Sequence, residues 1–184
     1  MILFLNQYYK NIIIYNLINK FNYKNIKEIP QIKKIFLNFR STNSDIKQLT
    51  TSLLALELIT GQKGKFIQAK KSNIIFKIRK GNPIGCKILL QKQLIYIFVY
   101  KLIFEIIPKI KTFDNLSIKK NVKCTKTTSL KITNILTFIE LETNYTLFSN
   151  LKDLHIVLLT NTRTQNELLY LLNSFKLIIH NEKI

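Results

Sequence analysis

Ala69-Lys70-Lys71-Ser72-Asn73-Ile74-Ile75-Phe76-Lys77-Ile78-Arg79-Lys80-Gly81-Asn82-Pro83-Ile84-Gly85 sets five cations around an apolar centre and closes on two glycines and a proline. Two short runs of strand-forming residues flank it, Phe66 to Ala69 before and Gly85 to Gln91 after, so the stretch reads as a loop projecting between two strands. A basic loop with an aromatic near its tip suits RNA, because phosphate attraction and base stacking act together. The competing reading is a twisted β-hairpin with a solvated basic face, which needs no ligand.

Working outward, residues from about Phe4 to Lys20 suit a first helix, and Glu28-Ile29-Pro30 leads into a strand over Gln31 to Phe39. Thr42-x-x-Asp45 followed by Ile46, Leu49, Leu53 and Leu56 predicts an amphipathic helix stopped by Gly61. Gln93 to Ile107 fits helix by length and by the stop at Pro108, whereas Lys111 to Ser129 has little periodicity and reads as a long irregular loop. Strands are expected at Leu130 to Phe138 and Asp153 to Thr160. A capping box at Thr164-x-x-Glu167 opens a helix, and a short strand from Phe175 to Ile179 ends the series. The class is α+β, a mostly antiparallel sheet with helices packed on one side and a projecting basic loop at about 70–84, within a single domain over 1–184.

Charge narrows the function. The 184 residues carry 29 Lys+Arg against 10 Asp+Glu, a formal +19, which repels itself in a compact fold unless a polyanion or anionic surface neutralises it. From Leu58 to Phe104 there are ten basic residues, no acid and all four glycines, while Glu140 to Ile184 is close to neutral. The polyanion contact is therefore expected in the first three-quarters of the chain. In Gly61-Gln62-Lys63-Gly64 the glycines either cap a helix or expose N–H groups while Gln62, Lys63 and Lys65 reach phosphates or base edges.

Catalysis finds no motif: no G-x-S-x-G, H-E-x-x-H or P-loop occurs, and the close acid pair Glu140/Glu142 reads as the solvated edge of a strand. Cys86 and Cys124 lie far apart, and His155 and His180 sit near the C-terminus, so neither metal-ligand spacing nor a disulfide framework is expected, and no cofactor. The apolar run Gln93 to Tyr100 is too short to cross a bilayer. Met1 to Leu5 is apolar, but without a charged leader it resembles neither a secretory signal nor an Arg-rich transit peptide. The dominance of Ile, Lys, Asn, Leu, Phe and Tyr matches AT-rich coding, as in compact organelle genomes.

The order Tyr8-Tyr9, Phe21-Asn22-Tyr23, Ile29-Pro30-Gln31-Ile32-Lys33-Lys34-Ile35, Leu37-Asn38, Ile59-Thr60-Gly61-Gln62-Lys63, Ala69-Lys70-Lys71-Ser72 and Phe76 to Lys87 closely resembles the bacterial-type large-subunit ribosomal protein L-five family. The likeness covers nearly the whole chain and is weakest from Asn115 to Leu136. It implies a structural RNA-binding protein of the central protuberance that holds 5S rRNA, where present, against the large-subunit rRNA, with no small-molecule substrate. It also implies that the Lys70-to-Gly81 loop reaches peptidyl-site tRNA, and that other surfaces meet a small-subunit head protein and neighbouring central-protuberance proteins. By that resemblance Asn38 and Gln62 contact 5S rRNA, and Phe76, Lys77, Ile78 and Arg79 face tRNA. The charge map adds Lys63, Lys65, Lys70, Lys71 and Lys87 to the rRNA-binding set and Lys80 to the loop, and Arg40 and Ser72, which flank these stretches, complete the rRNA-binding set.

The chain departs from the family where Phe39-Arg40-Ser41-Thr42 replaces a glycine-rich turn, where Leu89 replaces a threonine and where Ile74 and Ile75 replace small residues. Lys119 to Ser129 also shortens a Gly- and Arg-rich segment. These differences point to a diverged, mitochondrial and organelle-encoded member, with a plastid member as the alternative. The alternative from another class is a basic scaffold on an anionic membrane surface.

Overall fold

Leu5, Tyr9, Ile13 and Leu17 are all buried at intervals of four residues, a spacing that a regular α-helix would rotate by about 40° per step away from one face. The computed structural model, which describes residues 2–40, 45–76, 78–110, 126–151 and 153–177, resolves this with a π-helical turn (Tyr9–Ile13) between α1 (Ile2–Tyr8) and α2 (Ile14–Lys20). The wider turn takes up the drift and keeps the four side chains on one line. A second π turn (Leu102–Ile106) follows α4 (Gln93–Lys101) for the same reason, since Leu102 and Ile106 are both buried. The sequence predicts these two helices and does not distinguish their π turns.

The strands β1 (Ile32–Arg40), β2 (Lys65–Gln68), β3 (Pro83–Gln91), β4 (Thr127–Ile132) and β5 (Leu154–Thr160) form one open antiparallel sheet in the order β2-β3-β1-β5-β4. The α+β class expected from the sequence is what the chain adopts. Alternation is regular: Ile35, Leu37 and Phe39 on β1 and Cys86, Ile88 and Leu90 on β3 are buried, while Arg40, Lys87 and Gln91 are exposed.

The chain divides into two units. The first comprises Met1–Ile35, Leu90–Leu130 and Val157–Ile184. Its hub is Tyr9, whose ring lies 6.0 Å from both Tyr96 and Phe175 and whose hydroxyl donates to the Pro30 carbonyl at 2.9 Å. Burial, reinforced by Tyr96 and Tyr23, pushes the Tyr9 phenol well above its ordinary range. The second comprises Phe36–Leu89 and Lys131–Ile156. There α3 (Ile46–Thr60) buries Leu49, Ala55, Leu56 and Ile59 and packs against α5 (Ile139–Glu142) and α6 (Tyr145–Phe148). Gly61 closes α3 in the left-handed region at φ 65°, as its position predicts, and Asp45 is the N-cap; Thr42 lies outside the described residues.

Three expectations fail for local reasons. The strand expected over Leu130 to Phe138 stops at Ile132, because the Asn134 side chain accepts from the Leu136 N–H at 3.2 Å and starts a 3-10 turn (Ile135–Thr137). Glu140 and Glu142 consequently sit on the short helix α5 and not on a strand. The start of the closing strand is replaced at Phe175 to Leu177 by the end of α7 (Gln165–Ser174): Lys176 turns left-handed (φ 59°), with Lys176 N–H bonded to Asn173 O and Leu177 N–H to Leu172 O, and 178–179 lie outside the described residues. At its other end α7 carries the full capping box of Thr164 and Glu167 that the sequence predicts. Of the irregular loop, Thr127 to Ser129 belong to β4, and 111–125 lie outside the described residues. Among the described residues no helix is long and apolar enough to cross a membrane.

Lys92, between β3 and α4, has φ 55° and ψ −124°, a conformation that suits glycine and costs a β-carbon-bearing residue roughly 1–3 kcal/mol. Lys92→Gly is expected to stabilise the protein by about 1 kcal/mol and raise Tm by about 2–4 °C, readable by thermal denaturation. A lower Tm would show that the side chain holds the turn.

Candidate nucleic-acid interface

The sheet face left exposed in the second unit brings together residues far apart in sequence. Alternation places half-buried Asn38 and exposed Arg40 on β1 beside exposed Lys87 and Leu89 on β3. The strands touch closely at Gly85, where an added Cβ would collide with the Phe39 carbonyl oxygen. That glycine therefore brings β3 up against the Asn38–Arg40 end of β1. Leu89, 39% exposed, puts an apolar surface in the middle of this polar face.

β2 pairs antiparallel with β3 in a register that sets Lys65 opposite Lys87. Residues directly opposite in such a ladder share a face, and like charges there repel. Both lysines are exposed, and among the described residues neither has an acidic partner. The pair is a site that an anion would stabilise.

The turn before β2 takes the helix-capping reading of its glycines. Gly61 N–H donates to the Glu57 carbonyl at 2.7 Å and Gly64 N–H to Glu57 Oε1 at 2.8 Å, so neither glycine offers its amide to a phosphate. The turn acts as a scaffold: an added Cβ on Gly64 would meet the Leu53 and Ile88 side chains, which is how it seats β2 against α3. What the turn presents outward is half-buried Gln62 and exposed Lys63.

Between β2 and β3 the basic loop is an ordered hairpin extension. Ala69 N–H bonds Asn82 O (2.9 Å) and Gly81 N–H bonds Ala69 O (3.0 Å) at its neck. Asn73 and Ile78 exchange a second pair of bonds at 2.8 and 3.0 Å, and the Asn73 side chain accepts from Ile75 N–H. Gly81, at φ 91°, makes the return. Charge and greasiness separate along it: Lys70, Lys71, Ser72, Arg79 and Lys80 are exposed around the neck, whereas Ile74 (92% exposed), Ile75 (87%) and Phe76 (54%) form the tip. Ile78 is half-buried by its pairing, and Lys77 lies outside the described residues.

Cys86 is buried, 3.3 Å from the Ser52 Oγ and from the Leu49 carbonyl; burial, partly offset by Ser52, pushes its thiol up, away from the reactive thiolate. Among the described residues no cluster of His, Cys, Asp and Glu is arranged to hold a metal ion.

Comparison with known proteins matches residues 83–178 to the family model of the ribosomal L5P family C-terminus. The chain is 39% identical over 175 residues to the large ribosomal subunit protein uL5m of Reclinomonas americana, covering 94% of this chain and 96% of that one. It is 39% identical over 173 residues to the uL5 protein of Wigglesworthia glossinidia brevipalpis, covering 93% and 96%. With the uL5 protein of Buchnera aphidicola it shares 41% identity over 170 residues, covering 91% and 93%.

The Lys65/Lys87 pair separates stability from binding. Lys87→Gln is expected to leave the free protein as stable or more stable, by up to about 0.5 kcal/mol, while weakening RNA binding. Urea denaturation and filter binding on the same variant would read both; a destabilised variant with unchanged RNA affinity would contradict the assignment.

Proposed function

The chain belongs to the uL5 family of large-subunit ribosomal proteins, and on that premise we propose that it binds 5S rRNA, large-subunit rRNA or both in the central protuberance and contacts peptidyl-site tRNA through its loop. As a member of that family it is a structural constituent of the large ribosomal subunit and not an enzyme, and it works in translation. Membership sets aside the membrane-surface alternative.

The observation that carries the RNA reading is the uncompensated Lys65/Lys87 pair beside Asn38, Arg40, Gln62 and Lys63, on a face with no acidic residue opposite it among those described. Phosphates satisfy the cations there, and Asn38 and Gln62 supply amide donors and acceptors for sugar and base edges. Lys70, Lys71 and Ser72 extend that surface into the neck of the loop. Phe76, Lys77, Ile78, Arg79 and Lys80 form the tRNA-facing element: its cations draw in the backbone and its apolar tip packs against a ribose or base face. Leu89 and the ring of Phe39-Arg40-Ser41-Thr42 departures favour looser 5S contacts, with large-subunit rRNA carrying more of the binding.

The working place proposed is the mitochondrial ribosome, with the chain encoded in the organelle and acting as one domain. The AT-rich coding bias and the similarity to the uL5m protein of Reclinomonas americana support that placement. A small-subunit head protein and neighbouring central-protuberance proteins complete the partners.

Two measurements test the reading. The purified chain is expected to bind transcripts of 5S rRNA or of the central-protuberance segment with a log–log salt slope of about −0.7 for each single-strand phosphate neutralised; a flat response between low and moderate salt would contradict it. In ribosomes, Arg79→Ala combined with Lys77→Ala is expected to weaken tRNA positioning while large subunits still assemble, and loss of assembled subunits would make the loop structural instead.

A further inference from the structure

A second concentration of charge lies in the first unit, among residues not assigned above. Lys24, Asn25, Ile26, Lys27, Glu28, Lys126, Asn161 and Arg163 line a recess of about 860 Å3. Three separate stretches of chain build it: the 3-10 turn before β1, the residue entering β4, and the turn after β5.

Among the described residues one acid, Glu28, lines this recess, and it is already engaged. Glu28 Oε1 pairs with the Arg163 guanidinium at 2.9 Å, and Oε2 accepts from the Lys24 N–H at 3.3 Å. Burial pushes its carboxyl up, but the hydrogen bond and charge of Arg163, with the Lys24 N–H and the Asn25 side chain, hold it below the usual carboxylate range. Glu28 thus neutralises Arg163 and leaves the ammonium groups of Lys24, Lys27 and Lys126 without an acidic partner among the described residues.

The backbones that carry those lysines are fixed. The Lys24 amide is held by Glu28, the Lys27 carbonyl accepts from the Asn161 side chain at 2.9 Å, and the Lys126 carbonyl accepts from both the N–H and the hydroxyl of Thr160 at 2.7 and 3.0 Å. Anchored stems with exposed heads lower the ordering entropy of binding an anion. Ile26, 87% exposed between Lys24 and Lys27, places an apolar side chain at the same rim, suited to a ribose or base face and unsuited to a free inorganic ion.

We propose that this recess is a second RNA site, in which Lys24, Lys27 and Lys126 bind consecutive backbone phosphates of an rRNA segment while Ile26 packs against a ribose or base. It rests on the RNA-binding reading above and adds a contact distinct from the β1–β3 face and the loop. Arg163 and Glu28 are positioning residues that join the turn before β1 to the turn after β5, while Thr160 ties Lys126 to β5.

The test uses the full chain and a transcript of the central-protuberance segment of large-subunit rRNA, comparing Lys24→Gln/Lys27→Gln/Lys126→Gln with Lys65→Gln/Lys87→Gln. The first variant is expected to keep the wild-type thermal melt and to lower the log–log salt slope by about 2, so that the wild-type advantage shrinks about 16-fold between 50 and 200 mM salt. The corresponding triple arginine variant is expected to restore the slope. An unchanged slope in the glutamine triple variant, with the Lys65/Lys87 variant impaired, overturns the second site and leaves the RNA reading intact. Wild-type protein without salt-dependent RNA binding overturns both.

Discussion

Repulsion among the lysines governs how this chain uses its few acids. With a formal charge of +19 and ten acidic residues, no surface can be balanced by ion pairs alone. Several acids are committed to holding backbone: Glu57 ties down Gly64, Glu167 caps α7 and also accepts from Arg163 N–H at 2.9 Å, and Glu28 locks Arg163. Asp153 pairs with Lys131. Placed there, they fix turns and helix ends, and the described cations of the β2–β3 region face solvent without an acidic partner among the described residues. The same arrangement that makes the free protein electrostatically uncomfortable makes it receptive to a polyanion.

Apolar packing holds the framework against that repulsion. Ile and Leu fill the buried side of every long strand, and Tyr9, with Tyr96 and Phe175 at 6.0 Å and Pro30 on its hydroxyl, fastens the first unit at one point. Two π turns keep the helices' apolar lines continuous where a regular helix would rotate them away. That apolar framework carries the charged surface.

Much of this could be read from residues alone, because the signals were local. Gly61 after an amphipathic run, Thr164 three residues before Glu167, and Gly81 and Pro83 closing a basic loop each carry their own geometry. The failures have equally specific causes. Ile135 to Phe138 looks like strand until the Asn134 side chain captures the Leu136 amide, and Phe175 to Leu177 looks like strand until Lys176 turns left-handed where a glycine would advertise the stop. The turn at Gly61 and Gly64 was legible, but the use of the Gly64 amide by Glu57 was not, since it depends on a side chain reaching forward over seven residues. The recess at Lys24, Lys27 and Lys126 is invisible in sequence because Lys126 is about a hundred residues from the other two and only the pairing of β1, β4 and β5 gathers them.

The central claim is that the face around β2, β3 and the intervening loop is where the chain meets ribosomal RNA. Ultraviolet crosslinking in organelle lysate, followed by sequencing of the RNA attached to peptides from Gln62 to Lys87, tests it most directly. The expected result is reads from the central-protuberance region of the large-subunit rRNA, joined by a 5S-type RNA if the ribosome contains one; crosslinked peptides carrying no rRNA would contradict the account.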